Sequence, residues 1–137
     1  MVIAIKKRWK KLLKKLVIYG DQEIAVMAGV NNPDTVQKMV DFAIEKFGAV
    51  DIAVSNISLE KRQNFLDISL KDWHEVIKTN LNSAFYLAKA IIPGMKARIW
   101  GRIIYISGYY GSIGTLYQAH NVTCKGGLNA FAKAIAT

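Results

Sequence analysis

The segment that decides the fold is IAVMAGVNNPDTVQKMVDFAIEKFGAVDIAV, residues 24–54. Its two ends, residues 24–30 and 51–54, are apolar runs without alternation, a pattern typical of strands that are buried on both faces. Between them Asn32 can cap a helix, Pro33 suits its first turn and Asp34 suits its positive end. An apolar stripe at helical spacing follows, and Gly48 ends it; the stripe comprises Val36, Met39, Val40, Ala43 and Phe47. The segment therefore predicts a strand–helix–strand unit with parallel strands.

The alternation of strand and helix continues outward from this unit in both directions. Short apolar runs predict further strands at residues 2–5 and 102–107. Apolar stripes predict helices at residues 6–19, from about 70 to 92, and from about 118 onward. Four strands therefore alternate with four helices along the chain, beginning with a strand.

Local signals set the bounds of two of these elements. Ser69 and Asp72, three residues apart, predict a helix start near Leu70, and Pro93 followed by glycine predicts its end. The glycine-rich residues 108–114 predict a loop. These elements together predict one α/β domain over the chain, a parallel sheet covered by helices on both faces in three layers. A four-stranded sheet of this kind is incomplete, so we expect the chain to be part of a larger protein.

The composition excludes several other classes of protein. The chain is 52% hydrophobic and 21% charged, which is typical of globular proteins and not of disordered ones. It has no apolar run approaching the roughly 18–20 residues of a membrane span, and no signal peptide is recognisable. The single cysteine, Cys124, excludes an internal disulfide and fits a reducing compartment, so we expect a cytoplasmic protein. No cluster has metal-ligand spacing, which predicts no metal site.

The net charge of +9 is concentrated in one segment. Seven basic residues and no acid precede Gly20, and the rest of the chain is nearly balanced; the seven are Lys6, Lys7, Arg8, Lys10, Lys11, Lys14 and Lys15. The favoured interpretation of residues 6–19 is an ordinary helix with solvated lysines on its outer face. The alternative is a basic amphipathic helix that contacts an anionic membrane surface or a calmodulin-type partner. No basic residues are interleaved with the later tyrosines, so no nucleic-acid partner is predicted.

Four stretches carry polar residues in a fixed order: VDIAVSNIS at 50–58, TNLNSAF at 79–85, GRIIYIS at 101–107 and NVTCKGGL at 121–128. In order and spacing they resemble the landmarks of the short-chain dehydrogenase/reductase family. These landmarks are the strand and turn ending in Asn-Asn-Ala-Gly, the helix with the catalytic asparagine, the strand leading to the catalytic serine, and the Tyr-x-x-x-Lys helix. The resemblance covers nearly the whole chain. It implies a partial Rossmann-like, doubly wound parallel sheet and NAD(P)-dependent interconversion of an alcohol and a carbonyl.

The resemblance maps the catalytic positions onto four residues of this chain. Asn80 matches the catalytic asparagine and Lys125 the catalytic lysine, whereas the tyrosine position is Asn121 and the serine position is Gly108. In such enzymes the tyrosine phenol exchanges the hydroxyl proton, the lysine lowers its pKa and the serine orients the carbonyl. A carboxamide does not ionise near neutral pH, so Asn121 cannot be the general acid–base. We therefore expect weak or no turnover.

The resemblance also implies a nicotinamide cofactor. The residues expected to contact it are Val30, Ser55, Asn56, Lys125 and Lys6. Lys6 follows the strand at residues 2–5, and positive charge there would favour the 2′-phosphate of NADP over NAD.

Part of that expected cofactor site is missing from the sequence. The family's first strand and glycine-rich turn, which hold the pyrophosphate at a helix N-terminus, have no counterpart here. Gly29 stands where the family has an aspartate, and Ser58 replaces the last glycine of Asn-Asn-Ala-Gly. The glycines of residues 108–114 are spaced differently from a phosphate loop and are interpreted as the loop after a strand. We do not expect this chain alone to complete the site.

Two alternatives stay open at this level. Neighbouring groups could restore proton exchange; the candidates are Tyr109, Tyr110, Tyr117 and His120, whereas Ser107 is expected to point to the opposite face from position 108. The second alternative is a non-catalytic module that dimerises, as family members commonly do, through apolar stripes on two helices. Those stripes comprise Val76, Leu81, Phe85, Leu87, Leu128, Phe131 and Ile135. The substrate is not predictable from the sequence.

Overall fold

The computed structural model describes residues 2–3, 24 and 26–136 of the chain. Its strands are β1 (Val2–Ile3), β2 (Ile52–Ser55) and β3 (Arg102–Tyr105). Its α-helices are α1 (Pro33–Phe47), α2 (Leu70–Ile77), α3 (Ser83–Ala97), α4 (Tyr110–Ile113) and α5 (Ala119–Ile135). A 3₁₀ turn, Phe65–Asp67, precedes α2, and a π-helical segment, Lys78–Asn82, joins α2 to α3. The predicted helix at 6–19, with Lys6, lies outside the described residues.

The three strands form one parallel sheet in the order β1-β2-β3. Ile52 lies opposite Arg102, and Ser55 lies opposite Tyr105. Parallel strands joined by helices confirm the predicted α/β fold, a partial Rossmann-like sheet. The carboxyl ends of β2 and β3 lie side by side, which brings the segments that follow them together.

The described helices pack on one face of the sheet. On that face Ala53 is fully buried and Ile103 packs against the core. The neighbouring side chains point the other way, and Ile52 and Ile104 are 43% and 47% exposed. The loops after β2 and β3 therefore lie close to the N-terminal half of α5, which packs on this face of the sheet.

The hydrophobic core lies between α1, α3 and the sheet. Four of the five apolar stripe residues predicted in α1 are buried, whereas Phe47 is 39% exposed. They pack against α3 and the sheet in one cluster, whose buried members are Val36, Met39, Val40, Ala43, Val50, Ala53, Leu87, Ile91 and Met95. Burial of this stripe holds α3, and with it the site residues that precede α3, in a defined position.

The predicted helix starts are confirmed at atomic detail. The Asn32 side chain accepts a hydrogen bond from the Thr35 N–H at 3.1 Å, which caps α1. The Ser69 hydroxyl oxygen accepts from the Asp72 N–H at 3.0 Å and its proton goes to the Asp72 carboxylate at 2.7 Å. Both caps satisfy backbone donors that a helix leaves unpaired at its first turn.

Two predictions of secondary structure are wrong: the strand at residues 24–30, and the end of α3 at Pro93. In the part of residues 24–30 that the structure describes, the backbone is irregular and a turn begins at Val30. Both edges of β2 are already occupied by β1 and β3, so this segment finds no pairing with β2. The helix α3 continues through Pro93 to Ala97. Burial of Ile91 and Met95 on either side of Pro93 holds the helix together where an isolated helix would break.

Two boundaries near the site also differ from prediction. Strand β3 ends at Tyr105, two residues earlier than predicted. The glycine-rich loop at 108–114 contains one helical turn, α4. Within the described part of the chain, none of the helices has the length and apolar character that a bilayer span requires.

Candidate active site

A cavity of about 110 Å³ lies where the loops after β2 and β3 meet α5. Its lining residues are Ser58, Glu60, Ser107, Gly108, Tyr110, Gln118, Asn121, Val122 and Lys125. Ligand sites of open α/β sheets lie at this edge, beyond the carboxyl ends of the strands. The structure thus brings three of the four mapped catalytic positions, 108, 121 and 125, into one cavity.

The fourth position, Asn80, lies directly behind the cavity. It sits in the π-helical segment and is 1% exposed. Its Oδ1 accepts from the Leu59 N–H at 2.6 Å, and its Nδ2 donates to the Leu59 carbonyl at 2.9 Å and to Asn121 Oδ1 at 2.8 Å. Asn80 therefore ties the loop after β2 to α5, and both ends of its amide are engaged.

The carboxamide of Asn121, which the resemblance maps to the tyrosine position, has one end unpaired among the described residues. The residue is 3% exposed, and its Oδ1 accepts from Asn80. Turning the amide over would place two NH₂ groups against each other, so this bond sets its orientation. Its buried Nδ2 has no acceptor among the residues that the structure describes. Leaving such a donor unpaired costs about 1–3 kcal/mol.

Lys125 follows Asn121 by one helical turn and lines the same cavity. Its ammonium donates to the Ile106 carbonyl at 2.9 Å, which uses one of its three N–H groups. Burial lowers the pKa of Lys125, and the negative charge of Glu60 acts in the opposite direction. The remaining ammonium protons can serve a ligand in the cavity.

Ser107 and Gly108 occupy the serine end of the site. Gly108 has a φ of +106°, which favours glycine, although a Cβ there would meet nothing within 4 Å. Ser107 also lines the cavity, so the expectation that it points away is wrong. The alternation of side chains stops with β3 at Tyr105, two residues before it. The Ser107 hydroxyl donates its proton to the Lys125 carbonyl at 3.0 Å and offers a ligand only lone pairs.

His120 adjoins the tyrosine position but does not line the cavity. It is 0% exposed, its Nδ1 accepts from the Asn121 N–H at 3.0 Å, and its Nε2 lies 3.4 Å from Gln63 Oε1. These partners assign a neutral ring with its proton on Nε2. His120 fastens the loop after β2 to α5 and has no path to a ligand in the cavity.

Stability is expected to fall as the pH drops through about 6.5, because burial lowers the pKa of His120. The unfolded chain binds a proton in this range and the folded chain does not, which costs up to about 1.4 kcal/mol per pH unit. Urea unfolding at pH 7.5 and 5.5 measures the loss, and His120→Asn should reduce it. The exposed His74→Asn is the matched control. An equal pH dependence in His120→Asn and the parent chain would contradict this assignment.

Burial keeps two further ionisable groups near the site, the Cys124 thiol and the Tyr105 phenol, in their neutral forms. Burial raises the pKa of the Cys124 thiol to about 11 and the pKa of the Tyr105 phenol to about 12. Tyr110 lines the cavity, whereas Tyr109 and Tyr117 are 73% and 49% exposed outside it. A buried thiol with a raised pKa is a packing residue and not a nucleophile.

The residues expected to hold a nicotinamide cofactor fall in separate places. Val30 and Ser55 line a second, apolar cavity at the end of β2, together with Val36, Met39, Val54, Ile57, Ser83 and Leu87. Lys125 lines the first cavity, and Asn56 is exposed and lines neither. Lys6 lies outside the described residues. The structure brings together only the pair at the end of β2.

Gly111, in the glycine-rich segment after β3, lies directly against α5. A Cβ on Gly111 would lie 2.7 Å from Lys125 Cβ and 2.8 Å from the Lys125 carbonyl carbon. The missing side chain therefore allows α4 to pack closely against α5. Among the described residues, those expected to contact the cofactor therefore do not form one continuous site.

Three cavity residues, Glu60, Gln118 and Val122, were not predicted as site residues from the sequence. Glu60 lines the cavity, and its carboxylate accepts a hydrogen bond from the Ser58 hydroxyl at 3.3 Å. Its only signal in the sequence is its position two residues after the 50–58 landmark. A carboxylate at that place becomes a site residue only when the loop after β2 folds back toward α5.

Comparison with known proteins gives the family. A sequence model of the family described as short chain dehydrogenase matches residues 1–137. The chain therefore belongs to the short-chain dehydrogenase/reductase family, and the resemblance found in its four landmarks is confirmed.

The most similar curated relatives are reductases. The 3-oxoacyl-(acyl-carrier-protein) reductase of Vibrio cholerae is 31% identical over 85% of this chain and 48% of its own length. The acetoacetyl-CoA reductase of Cupriavidus necator is 34% identical over 94% of this chain and 52% of its own length. A 3-oxoacyl-(acyl-carrier-protein) reductase of Synechocystis is 32% identical over 91% of this chain and 51% of its own length. The chain spans about half the length of the curated relatives it matches.

Proposed function

We propose that this chain belongs to an NAD(P)-dependent oxidoreductase that interconverts an alcohol and a carbonyl, and that its own turnover is weak or absent. The family and the reductases among its relatives support the reaction class. One observation carries the weak turnover: Asn80 holds the Asn121 carboxamide in the tyrosine position through a bond of 2.8 Å.

The proton step explains the expected loss of rate. Reduction of a carbonyl requires a proton for its oxygen, and oxidation of an alcohol requires a base to remove one. A carboxamide does neither near neutral pH, and losing a positioned acid–base group costs a factor of roughly 10² to 10⁴. The Ser107 hydroxyl donates its proton to the backbone carbonyl of Lys125. His120 is buried and does not line the cavity. Tyr110 lines the cavity, but no hydrogen bond among the described residues joins its phenol to Lys125 or Asn80, so we infer that it does not take over the proton step.

Coenzyme, substrate and location follow as parts of this proposal. A bound nicotinamide coenzyme would supply the hydride, with NADP favoured over NAD by the basic segment that contains Lys6. The names of the relatives suggest 3-oxoacyl compounds as substrates to test. We place the protein in the cytoplasm and expect a homo-oligomer.

The test is cofactor oxidation by the purified chain. NADPH or NADH absorbance is followed with a panel of ketones that includes acetoacetyl-CoA, in parallel with Lys125→Ala. We expect the two proteins to show the same background rate. Turnover that is present in the parent chain and lost in Lys125→Ala would contradict the proposal, because Lys125 lies in the cavity and no contaminant depends on it.

A non-catalytic interaction module is the second candidate. Val76, Leu87 and Leu128 of the predicted stripes are buried within this chain and are not available to a partner. Phe85 is 49% exposed and packs edge-on against Phe131, so an aromatic surface remains on α3 and α5. Size-exclusion chromatography with light scattering tests it. A stable dimer that Phe85→Ala dissociates, in a chain without NADPH affinity, supports the module, and a monomer contradicts it.

A further inference from the structure

We infer that His120 is the centre of an acid-sensitive latch: uptake of a proton by its ring releases the loop at residues 61–68 from the start of α5 while the hydrophobic core stays folded. The latch consists of His120 in α5, Gln63 in the loop after β2 and Asp72 in α2. None of the three lines the cavity, so the inference is independent of the proposed function.

The latch is a chain of hydrogen bonds that crosses three elements. The His120 Nε2 lies 3.4 Å from Gln63 Oε1, and Gln63 Nε2 donates to the Asp72 carboxylate at 3.1 Å. The Gln63 backbone N–H donates to the Tyr117 carbonyl at 2.9 Å, just before α5. His120 is fully buried, and its Nδ1 accepts from the Asn121 N–H at 3.0 Å. The neutral ring therefore uses both nitrogens, one as a donor and one as an acceptor.

A proton on Nδ1 removes the acceptor from this arrangement. The cationic ring has two N–H groups and no lone pair, so Nδ1 would face the Asn121 N–H with a proton of its own. The Gln118 carbonyl favours the charged ring, but it already accepts from the Val122 N–H at 2.9 Å in the first turn of α5. The ring also lies at the positive end of the α5 dipole, which disfavours a cation. The charged ring is therefore more stable in water than in the closed latch.

The groups packed around the ring set the direction of its titration. Burial is the largest influence and lowers the pKa of His120. Asp72 of α2 raises this pKa and Lys61 of the loop lowers it, and Lys61 is itself paired with Asp72 and Glu75. On α5 the Cys124 thiol is neutral, because burial raises its pKa to about 11. The latch is thus closed at neutral pH and weakens as the pH falls below about 6.5, where a free histidine gains its proton.

The loop can open without disturbing the core. The buried core cluster lies between α1, α3 and the sheet and includes no residue of 61–68 or 117–122. Phe65 and Leu66 of the loop are 72% and 92% exposed, so opening gives up little buried apolar surface. Tyr117, whose carbonyl holds the Gln63 N–H, has a φ of +63°, and release of the loop relieves this strained backbone.

The test is hydrogen exchange of single amides by NMR at pH 7.5 and 5.5, with exchange times scaled for the intrinsic pH dependence of the reaction. The Gln63 amide reports the latch, and the Val40 amide in α1 reports the core. We expect Gln63 to exchange faster than Val40 at both pH values, and its opening constant to rise up to about tenfold at pH 5.5. Exchange of Gln63 only at the rate of Val40, or an opening constant that does not change with pH, would overturn the inference.

Variants assign the pH dependence to one ring. His120→Asn removes the titrating group, so its Gln63 amide should open equally at the two pH values. His74→Asn, exposed on α2, is the matched control and should keep the dependence of the parent chain. A His120→Asn chain that keeps this dependence would count against the latch.

The parent chain gives a second readout that needs no variant. It has two histidines and therefore two sets of ring signals, which His74→Asn assigns. We expect the His120 ring signals to titrate together with the Gln63 amide signal, because the proton enters only when the latch opens. Titration of the His120 ring with no change at Gln63 would refute the coupling.

Discussion

Replacing Asn80 by leucine is expected to lower the free energy of unfolding by about 3 kcal/mol. Asn80 is 1% exposed and makes three hydrogen bonds, two to the Leu59 backbone and one to Asn121. Leucine has a similar volume and no polar atoms. It would leave a backbone N–H, a carbonyl and a carboxamide oxygen without partners, in places that water reaches poorly.

Urea denaturation of Asn80→Leu against the parent chain measures this loss. Asn82→Leu is the matched control, because Asn82 lies in the same π-helical segment and does not cap α3 with its side chain. We expect the control to lose less than about 1 kcal/mol. Equal midpoints for the two variants would show that the bonds of Asn80 do not tie the loop after β2 to α5.

Gly111→Ala is expected to lower the free energy of unfolding by about 2 kcal/mol through overpacking. The new Cβ would lie 2.7 Å from Lys125 Cβ and 2.8 Å from its carbonyl carbon, and 3.0 Å from the Gly126 nitrogen. Backbone atoms of a helix cannot move aside as the end of a flexible side chain can. The variant must therefore push α4 away from α5 and distort the cavity wall.

Gly94→Ala provides a control of opposite sign. Gly94 lies inside α3, and a Cβ there would meet only the end of the Arg98 side chain at 3.3 Å. Arg98 can shift, and alanine favours a helix over glycine by up to about 1 kcal/mol. Thermal unfolding of both variants should therefore show a lower midpoint for Gly111→Ala and an unchanged or higher one for Gly94→Ala. A stabilised Gly111→Ala would contradict the close approach of α4 and α5.

Local chemistry explains why much of the fold was predictable. The Asn32 and Ser69 caps depend on residues within three positions, and both form as predicted. The stripe of α1 depends on helical spacing and is buried as predicted, apart from Phe47. The path of the backbone at residues 24–30 and across Pro93 was predicted wrongly. Strand pairing and core packing, which act between distant segments, decide those two places.

The candidate site shows the same division. The four landmark stretches were recognisable because they recur in order along the chain, and the family match confirms the membership that they imply. Glu60 carries no comparable signal, and Ser107 was placed on the wrong side because strand alternation was extended past Tyr105. The roles of Asn80, Asn121, Lys125 and Gly108 stay predictions until the variants are measured.

What the sequence by itself determined is the α/β class of the fold and which groups are present, including a carboxamide and a glycine at the positions that the resemblance maps to the family's tyrosine and serine. Only the tertiary structure decided where those groups point. The bond from Asn80 to Asn121 joins residues 41 positions apart, and the contact of Gly111 with Lys125 depends on two helices meeting. The chemical type of each side chain is given directly by the sequence. The orientation of an amide and the partners around a cavity arise only when segments distant in sequence pack together.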